Sequence, residues 1–272
     1  MPPRIVNAHA QFPEGPAWVG TKLYYAEYGR HSITVWDGRR NDVLWTEAGA
    51  GPAAAVPFAG GLAVTAYDAG ALIEISMTGQ TLRRYDRDAG GRRLVGPNDA
   101  VSDRHGGLYL TASGPWEKWP IVGAVYYLRH GGILQCVAEH LHFANGIALS
   151  ADGRLLYVSE SEAGRVIAFS VGADGTLSDR RLFVRMFELG EPPDAFPDGI
   201  KLGPDGNFYI GLLSAGRIVV VTPGGRLVRK IEVPSAGAPN LAFSPDGKTA
   251  YITGIDDKQT PPYPGKVYAV DL

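Results

Sequence analysis

At 272 residues, with 45% hydrophobic and 20% charged residues, the chain has the composition of a globular protein with ample core. A formal net charge of -2 removes the electrostatic motive for nucleic-acid binding, and a lone cysteine, Cys136, excludes an internal disulfide. No apolar run has the length of a signal-peptide core or a membrane span, so the expectation is a soluble cytoplasmic protein with neither nucleic-acid nor membrane partners.

Helical periodicity is almost absent. In chain order the strand signals are KLYYAE from Lys22, SITVWDG from Ser32, LYLTA from Leu108, AVYYLR from Ala124, LLYVSE from Leu155, RVIAFSV from Arg165, NFYIG from Asn207, RIVVVTP from Arg217 and KVYAVDL from Lys266. Gly, Pro, Asp or Asn bounds each of them, as strand and turn chemistry requires. The pairs Asp152-Gly153, Asp205-Gly206 and Asp246-Gly247 predict tight hairpin turns. Cys136 lies in GGILQCVAEHL, an apolar strand pattern that predicts a buried structural thiol.

A longer phrase recurs around these strands. It reads FPEGPAWVGTKLYYAE from Phe12, GPAAAVPFAGGLAVTAY from Gly51, GPNDAVSDRHGGLYLTA from Gly96, FANGIALSADGRLLYVSE from Phe143, FPDGIKLGPDGNFYIG from Phe196 and APNLAFSPDGKTAYITG from Ala238. The leading positions are Glu14, Ala53, Asn98, Asn145, Asp198 and Asn240. Their spacing of about 40 to 50 residues is that of a four-stranded propeller blade. The expectation is therefore an all-β, six-bladed β-propeller of four-stranded antiparallel blades, one domain spanning residues 1–272. Its last blade would be closed by the N-terminal strand PRIVNAHA, so that no sheet edge is left open.

The leading column carries the chemistry. The first strand of each blade lines the channel, so Glu14, Asn98, Asn145, Asp198 and Asn240 converge there as a ring of oxygen donors. Two carboxylates with neutral amide oxygens form a hard ligand set suited to Ca²⁺ or Mg²⁺. Asn and Asp also cap turns and strand ends through local backbone bonds. A lone N-G or D-G pair would need no other explanation, but a column that is polar in five of six copies does. Two segments interrupt the repeat, ASGPWEKWPIVG at 112–123 and VRMFELGEPPDAFPDG at 184–199, and loops of this kind roof sites on rigid scaffolds.

The motifs EGPAW at Glu14, PND at Pro97, ANGIA at Ala144 and PDGI at Pro197 resemble, as a set spanning essentially the whole chain, the signatures of the senescence marker protein, gluconolactonase and luciferin-regenerating enzyme family. The resemblance implies a metal-dependent lactonase in which Glu14, Asn145 and Asp198 hold one divalent cation and Asn98 contacts metal or substrate. Ca²⁺ is the first expectation for that ion, with Mg²⁺, Mn²⁺ or Zn²⁺ as alternatives. The metal would act as Lewis acid, with Asp99 as the first choice of general base and Asp198 as the second. Sugar-lactone members of the family usually carry an arginine two residues before the asparagine matching Asn98, where this chain has Gly96. A pocket near Trp116, Trp119 and Phe12 points instead to a less polar small-molecule substrate. A metal-dependent cyclase, condensing enzyme or isomerase, or a non-enzymatic binding propeller, are the other readings. As for assembly, a monomer or weak homo-oligomer is expected.

Overall fold

The computed structural model describes residues 2–115 and 117–272. Among these residues the strands assort into six antiparallel sheets of four, and helix is confined to two 3-10 turns, Tyr28–Arg30 and Phe187–Leu189. Five sheets are built from four strands consecutive in sequence. The sixth joins the last three strands to the N-terminal strand Arg4–Gln11, which pairs antiparallel with Pro264–Asp271. Neighbouring inner strands meet in sequence order, and the first meets the last blade, so the sheets form the ring of a six-bladed propeller. No helix among the described residues is long and apolar enough to cross a membrane.

Apolar faces of adjacent sheets interleave to form the core. Between the first two blades, Tyr24, Ile33 and Trp45 pack against Leu62, Val64 and Ile73. Where the first blade meets the last, Trp18 and Trp36 stand against Tyr251 with ring centroids 5.3 and 5.4 Å away. Two of the most deeply buried tyrosines, Tyr25 and Tyr109, keep their hydroxyls satisfied, as burial of a phenol demands. Tyr25 donates to Asn41 Oδ1 (2.8 Å) and Tyr109 to the Gly175 carbonyl (3.0 Å). Cys136 falls on an outermost strand, Gln135–His142, and is only half-buried, because an outer strand keeps one face in solvent; the fully buried thiol expected from its pattern is not what the fold gives.

The inner strands are not regular. Pro13–Val19, Pro52–Phe58, Pro97–Ser102, Ala144–Leu149 and Pro197–Leu202 each break register with their neighbour near their start, at Glu14/Ala17, Pro52/Ala54, Pro97/Ala100, Ala144/Ile147 and Pro197/Ile200. A bulge re-aims the side chains beside it and frees ladder carbonyls. Here hydroxyls from the preceding blade bond carbonyls at these breaks. Thr65 donates to the carbonyl of Asn98, Thr111 to that of Asn145 (2.6 Å), Ser113 to that of Ala144 (2.9 Å) and Ser161 to that of Pro197 (2.7 Å). The glycine after the leading residue lets the blades close on the axis. A Cβ on Gly146 would lie 2.1 Å from the Asp198 carbonyl oxygen, and one on Gly199 would lie 2.2 Å from Asn240 Cγ.

Candidate functional site

The bulges bring the leading side chains of blades far apart in sequence to one end of the channel. Glu14, Asn98, Asn145 and Asp198 together line a cavity of about 420 Å³. Glu14, Asn145 and Asp198 are buried, so they form its floor. Its sides are aromatic and apolar, from Phe12, Tyr28, Tyr67, Phe143, Leu213 and Tyr263, and Asp68, Glu117 and Lys258 also line it.

Two serines fix the amides of the floor. Ser161 gives its one proton to the Pro197 carbonyl, so its oxygen can only accept, and the Asn145 amide nitrogen donates to it (3.2 Å). That leaves Asn145 Oδ1 buried with no hydrogen-bond partner among the described residues. Ser113 treats Asn98 the same way, giving its proton to the Ala144 carbonyl and accepting from the Asn98 amide nitrogen (3.1 Å). Both amides therefore keep an oxygen available on a floor that already holds two carboxylates.

Those carboxylates resist ionisation. Burial, then the charge of Asp99, pushes Asp198 up to about 8, against the opposing pull of the Asn145 amide, the Gly199 N–H and Lys201. Burial, then the charge of Asp198, raises Glu14 well above the usual carboxylate range, although the Gly15 N–H donates to it (3.0 Å). Among the described residues no three His, Cys, Asp or Glu gather as a metal cluster; two carboxylates and two amides make up the set. An unpartnered amide oxygen beside two anions disfavoured by burial is the environment a divalent cation relieves, so the residues present fit such an ion.

The other expected site residues fall in different places. Phe12 is on the cavity wall. Trp119 is not among the described lining residues, because 85% of it stands in solvent. Trp116 lies outside the described residues. Asn240 is buried beside the floor, donating to Asp99 Oδ2 (3.4 Å) and accepting from the Leu241 N–H (2.9 Å). Asp99 itself is buried off the cavity wall, its carboxylate accepting from Lys201 Nζ (2.8 Å) and the Ala100 N–H (2.8 Å). Sequence reasoning missed Lys201, whose partner is 102 residues away across the channel; the signal was a lone lysine in the inner strand PDGIKL, the first four residues of which are buried. It also missed the two serines.

Comparison with known proteins agrees with this architecture. A family model described as the SMP-30/Gluconolactonase/LRE-like region matches residues 12–256. The lactonase drp35 of Staphylococcus aureus is 28% identical over 139 residues, which is 51% of this chain and 42% of that protein, so the match spans under half the length of that relative. Among solved structures, a gluconolactonase from Xanthomonas campestris superimposes with a TM-score of 0.81 at 26% identity, covering 100% of this chain and 95% of the other. A calcium-binding protein, regucalcin, from Agrobacterium tumefaciens reaches a TM-score of 0.82 at 16% identity, covering 98% and 92%, a likeness of fold.

Proposed function

The chain belongs to the SMP-30/gluconolactonase/LRE-like family, and from that premise we propose that it is a divalent-cation-dependent hydrolase of small cyclic esters. The observation that carries this reading is the convergence, on one buried floor, of the unpartnered Asn145 oxygen with Glu14 and Asp198 under a cavity sized for a small molecule. Glu14, Asn145 and Asp198, joined by Asn98, are the residues that would hold the ion, and an all-oxygen set favours Ca²⁺ over softer metals. A neighbour of the same fold is described as calcium-binding, but at 16% identity its likeness speaks to fold, so the ion rests on the donor set. When bound, the cation would supply electrophilic polarisation of the ester carbonyl and offset charge on its oxygen.

The chain's own groups divide the remaining work. Of the two aspartates expected as base, Asp198 lines the cavity, whereas Asp99 is turned to Lys201. In this reading Asp198 takes the proton of the attacking water as its oxygen bonds to the carbonyl carbon. The ring C–O bond then breaks, and the same proton returns to the leaving oxygen to give a hydroxy acid. Asp99, Lys201 and Asn240 lie behind the floor and set the field in which Asp198 exchanges that proton. The aromatic sides confine the substrate and exclude competing water.

The test is hydrolysis of a lactone panel by protein stripped with chelator and reloaded with Ca²⁺, Mg²⁺, Mn²⁺ or Zn²⁺. Stripping should abolish turnover and one of the ions should restore it. Glu14→Ala and Asp198→Ala should each lower kcat/KM by about a hundredfold or more, the scale of losing a charge-stabilising group. Full turnover by these variants in chelator would overturn the reading.

A further inference from the structure

Two positions before each leading residue lies a second ring. In the first four blades it is occupied by Phe12, Gly51, Gly96 and Phe143, all with left-handed backbone, at φ 48°, 51°, 62° and 53°. Glycine adopts this conformation freely, and phenylalanine does not. The fold thus accepts glycine at this place in two blades, yet the other two carry phenylalanines, and both of these line the cavity.

A specific device accompanies each phenylalanine. The N–H of the residue before it, Gln11 or His142, donates at 2.9 Å to a buried glutamate, Glu27 or Glu160. Glu27 is paired with Arg30, and Glu160 with Arg165 and Arg180. These glutamates sit opposite Pro13 and Ala144 in the strand ladder. In the blades with glycine, the equivalent ladder positions are Ala66 and Ala112. The clamp is present where the strained residue is aromatic and absent where it is glycine. Phe12 and Phe143 belong to blades three steps apart in a ring of six, so they face each other across the axis.

The glycines leave room for neighbouring side chains, the Asp68 carboxylate at Gly51, where an added Cβ would lie 2.3 Å from Oδ2, and Tyr67 at Gly96. A Cβ on Gly96 would lie 3.0 Å from the Tyr67 ring, so Tyr67 occupies the space above Gly96. Among the described residues, three charged groups line the sides of the cavity: Asp68 is engaged by the Tyr28 hydroxyl (3.2 Å), Lys258 by Ser214 (2.8 Å), and Glu117 is the third, while the ring faces of Phe12, Phe143 and Tyr67 offer no polar partner. A polyhydroxylated ring buried between such faces would leave hydroxyls unpaired, which is costly, whereas an apolar group would lose nothing.

We infer that Phe12, Phe143 and Tyr67 are specificity-determining residues that select a cyclic ester carrying an aryl or short alkyl substituent, with Glu27 and Glu160 as positioning residues that hold the two phenylalanines in place. The inference rests on the hydrolase reading above and deepens it to a substrate class. The experiment compares kcat/KM of the cation-loaded protein for γ-phenyl-γ-butyrolactone and for D-glucono-δ-lactone. The aryl lactone is expected to be preferred by about tenfold or more, and Phe12→Gly and Phe143→Gly should each lower that preference by about tenfold, mainly through KM. Glycine relieves the backbone but gives up ring contacts, those of Phe12 with Tyr28 and Tyr263 among them (centroids 5.6 and 6.1 Å), so a melting curve of each variant is read beside the kinetics to separate a loss of fold from a loss of preference. Glu160→Ala should reproduce the loss of preference, and Glu160→Gln, which keeps an acceptor for the His142 N–H, should restore most of it. Preference for the sugar lactone, or equal losses on both substrates, would overturn the inference while leaving the hydrolase reading intact. If no lactone of the panel is opened with any of the four ions, the hydrolase reading falls, and calorimetric binding of the matching γ-phenyl lactam then decides: binding weakened by Phe143→Gly upholds the pocket, and no binding overturns it.

Discussion

Asp198 concentrates the electrostatic problem of the floor, and its titration makes a prediction about stability. Its pKa in the folded protein, about 8, stands above the ordinary aspartate value of about 4 expected once the chain unfolds. Between those values the folded state binds more protons than the unfolded state, so stability falls as pH rises. Glu14 acts in the same direction, Asp99 strengthens the effect by its charge, and Lys201 opposes it. Cation-free protein should therefore lose Tm steadily between about pH 4 and pH 8, and Asp198→Asn should remove most of that slope. A divalent ion that binds Glu14 and Asp198 should raise Tm more at the alkaline end of the window than at the acid end. Thermal melts of both proteins, with chelator and with Ca²⁺, check this; a wild-type slope retained in Asp198→Asn would sink it. Glu14, Asn98, Asn145 and Asp198 were legible in the sequence because a repeat exposes any column that departs from its rule. Lys201 was not, since its pairing with Asp99 depends on how blades three and five face each other across the channel.

At the level of the blade, the bulge at the start of five of the six inner strands turns a repeat into a site. Without it, a regular strand would alternate its side chains between the two neighbouring sheets. With it, the leading residue turns toward the axis and neighbouring chains approach closely. Gly146 is the point of tightest approach on the floor, because an added Cβ would meet the Asp198 carbonyl oxygen at 2.1 Å and Gly199 Cα at 2.6 Å, both backbone. Neither neighbour can rotate away, so Gly146→Ala should cost about 3 kcal/mol or more, the upper range for overpacking. It should also weaken cation binding, since it pushes apart Asn145 and Asp198. Denaturant unfolding measures the first effect and calorimetric titration the second; a stability within about 0.5 kcal/mol of wild type would show that the strand gives way after all. The D-G hairpins and four-strand order were readable because their turn chemistry is local. The ring of left-handed residues was hidden, because Phe12 and Phe143 adopt a backbone that their residue type disfavours, and the partners that hold it are distant: Glu27 and Glu160 on the preceding N–H, and the Tyr263 and Ile121 carbonyls on their own.

For the molecule as a whole, the last sheet depends on a strand from the other end of the chain. Arg4–Gln11 covers the edge of Pro264–Asp271 and ties back into the first blade. Asn41 Nδ2 donates to the Val6 carbonyl (3.0 Å), Arg30 to the His9 carbonyl (2.9 Å), Asn7 Nδ2 to the Tyr25 hydroxyl (2.8 Å), and the Gln11 N–H to Glu27 (2.9 Å). Deleting residues 1–11 removes these bonds together with the strand ladder and leaves an unpaired edge, which favours association. At about 1 kcal/mol for each hydrogen bond lost, and about 2 to 4 °C of Tm per kcal/mol in a chain of this size, Tm should fall on the order of 10 °C or more. The deletion should also reach the cavity, because Phe12 loses the Gln11–Glu27 bond that precedes it, so preference among substrates should fall along with stability. A synthetic peptide RIVNAHAQ supplied in trans should bind the open edge and recover Tm, while leaving the break before Phe12 unrepaired. Melting curves, size-exclusion profiles and substrate selectivity of the deleted protein with and without peptide separate the two effects. If Tm and monomer content are unchanged by the deletion, the N-terminal strand is an ornament of the ring rather than a part of its closure.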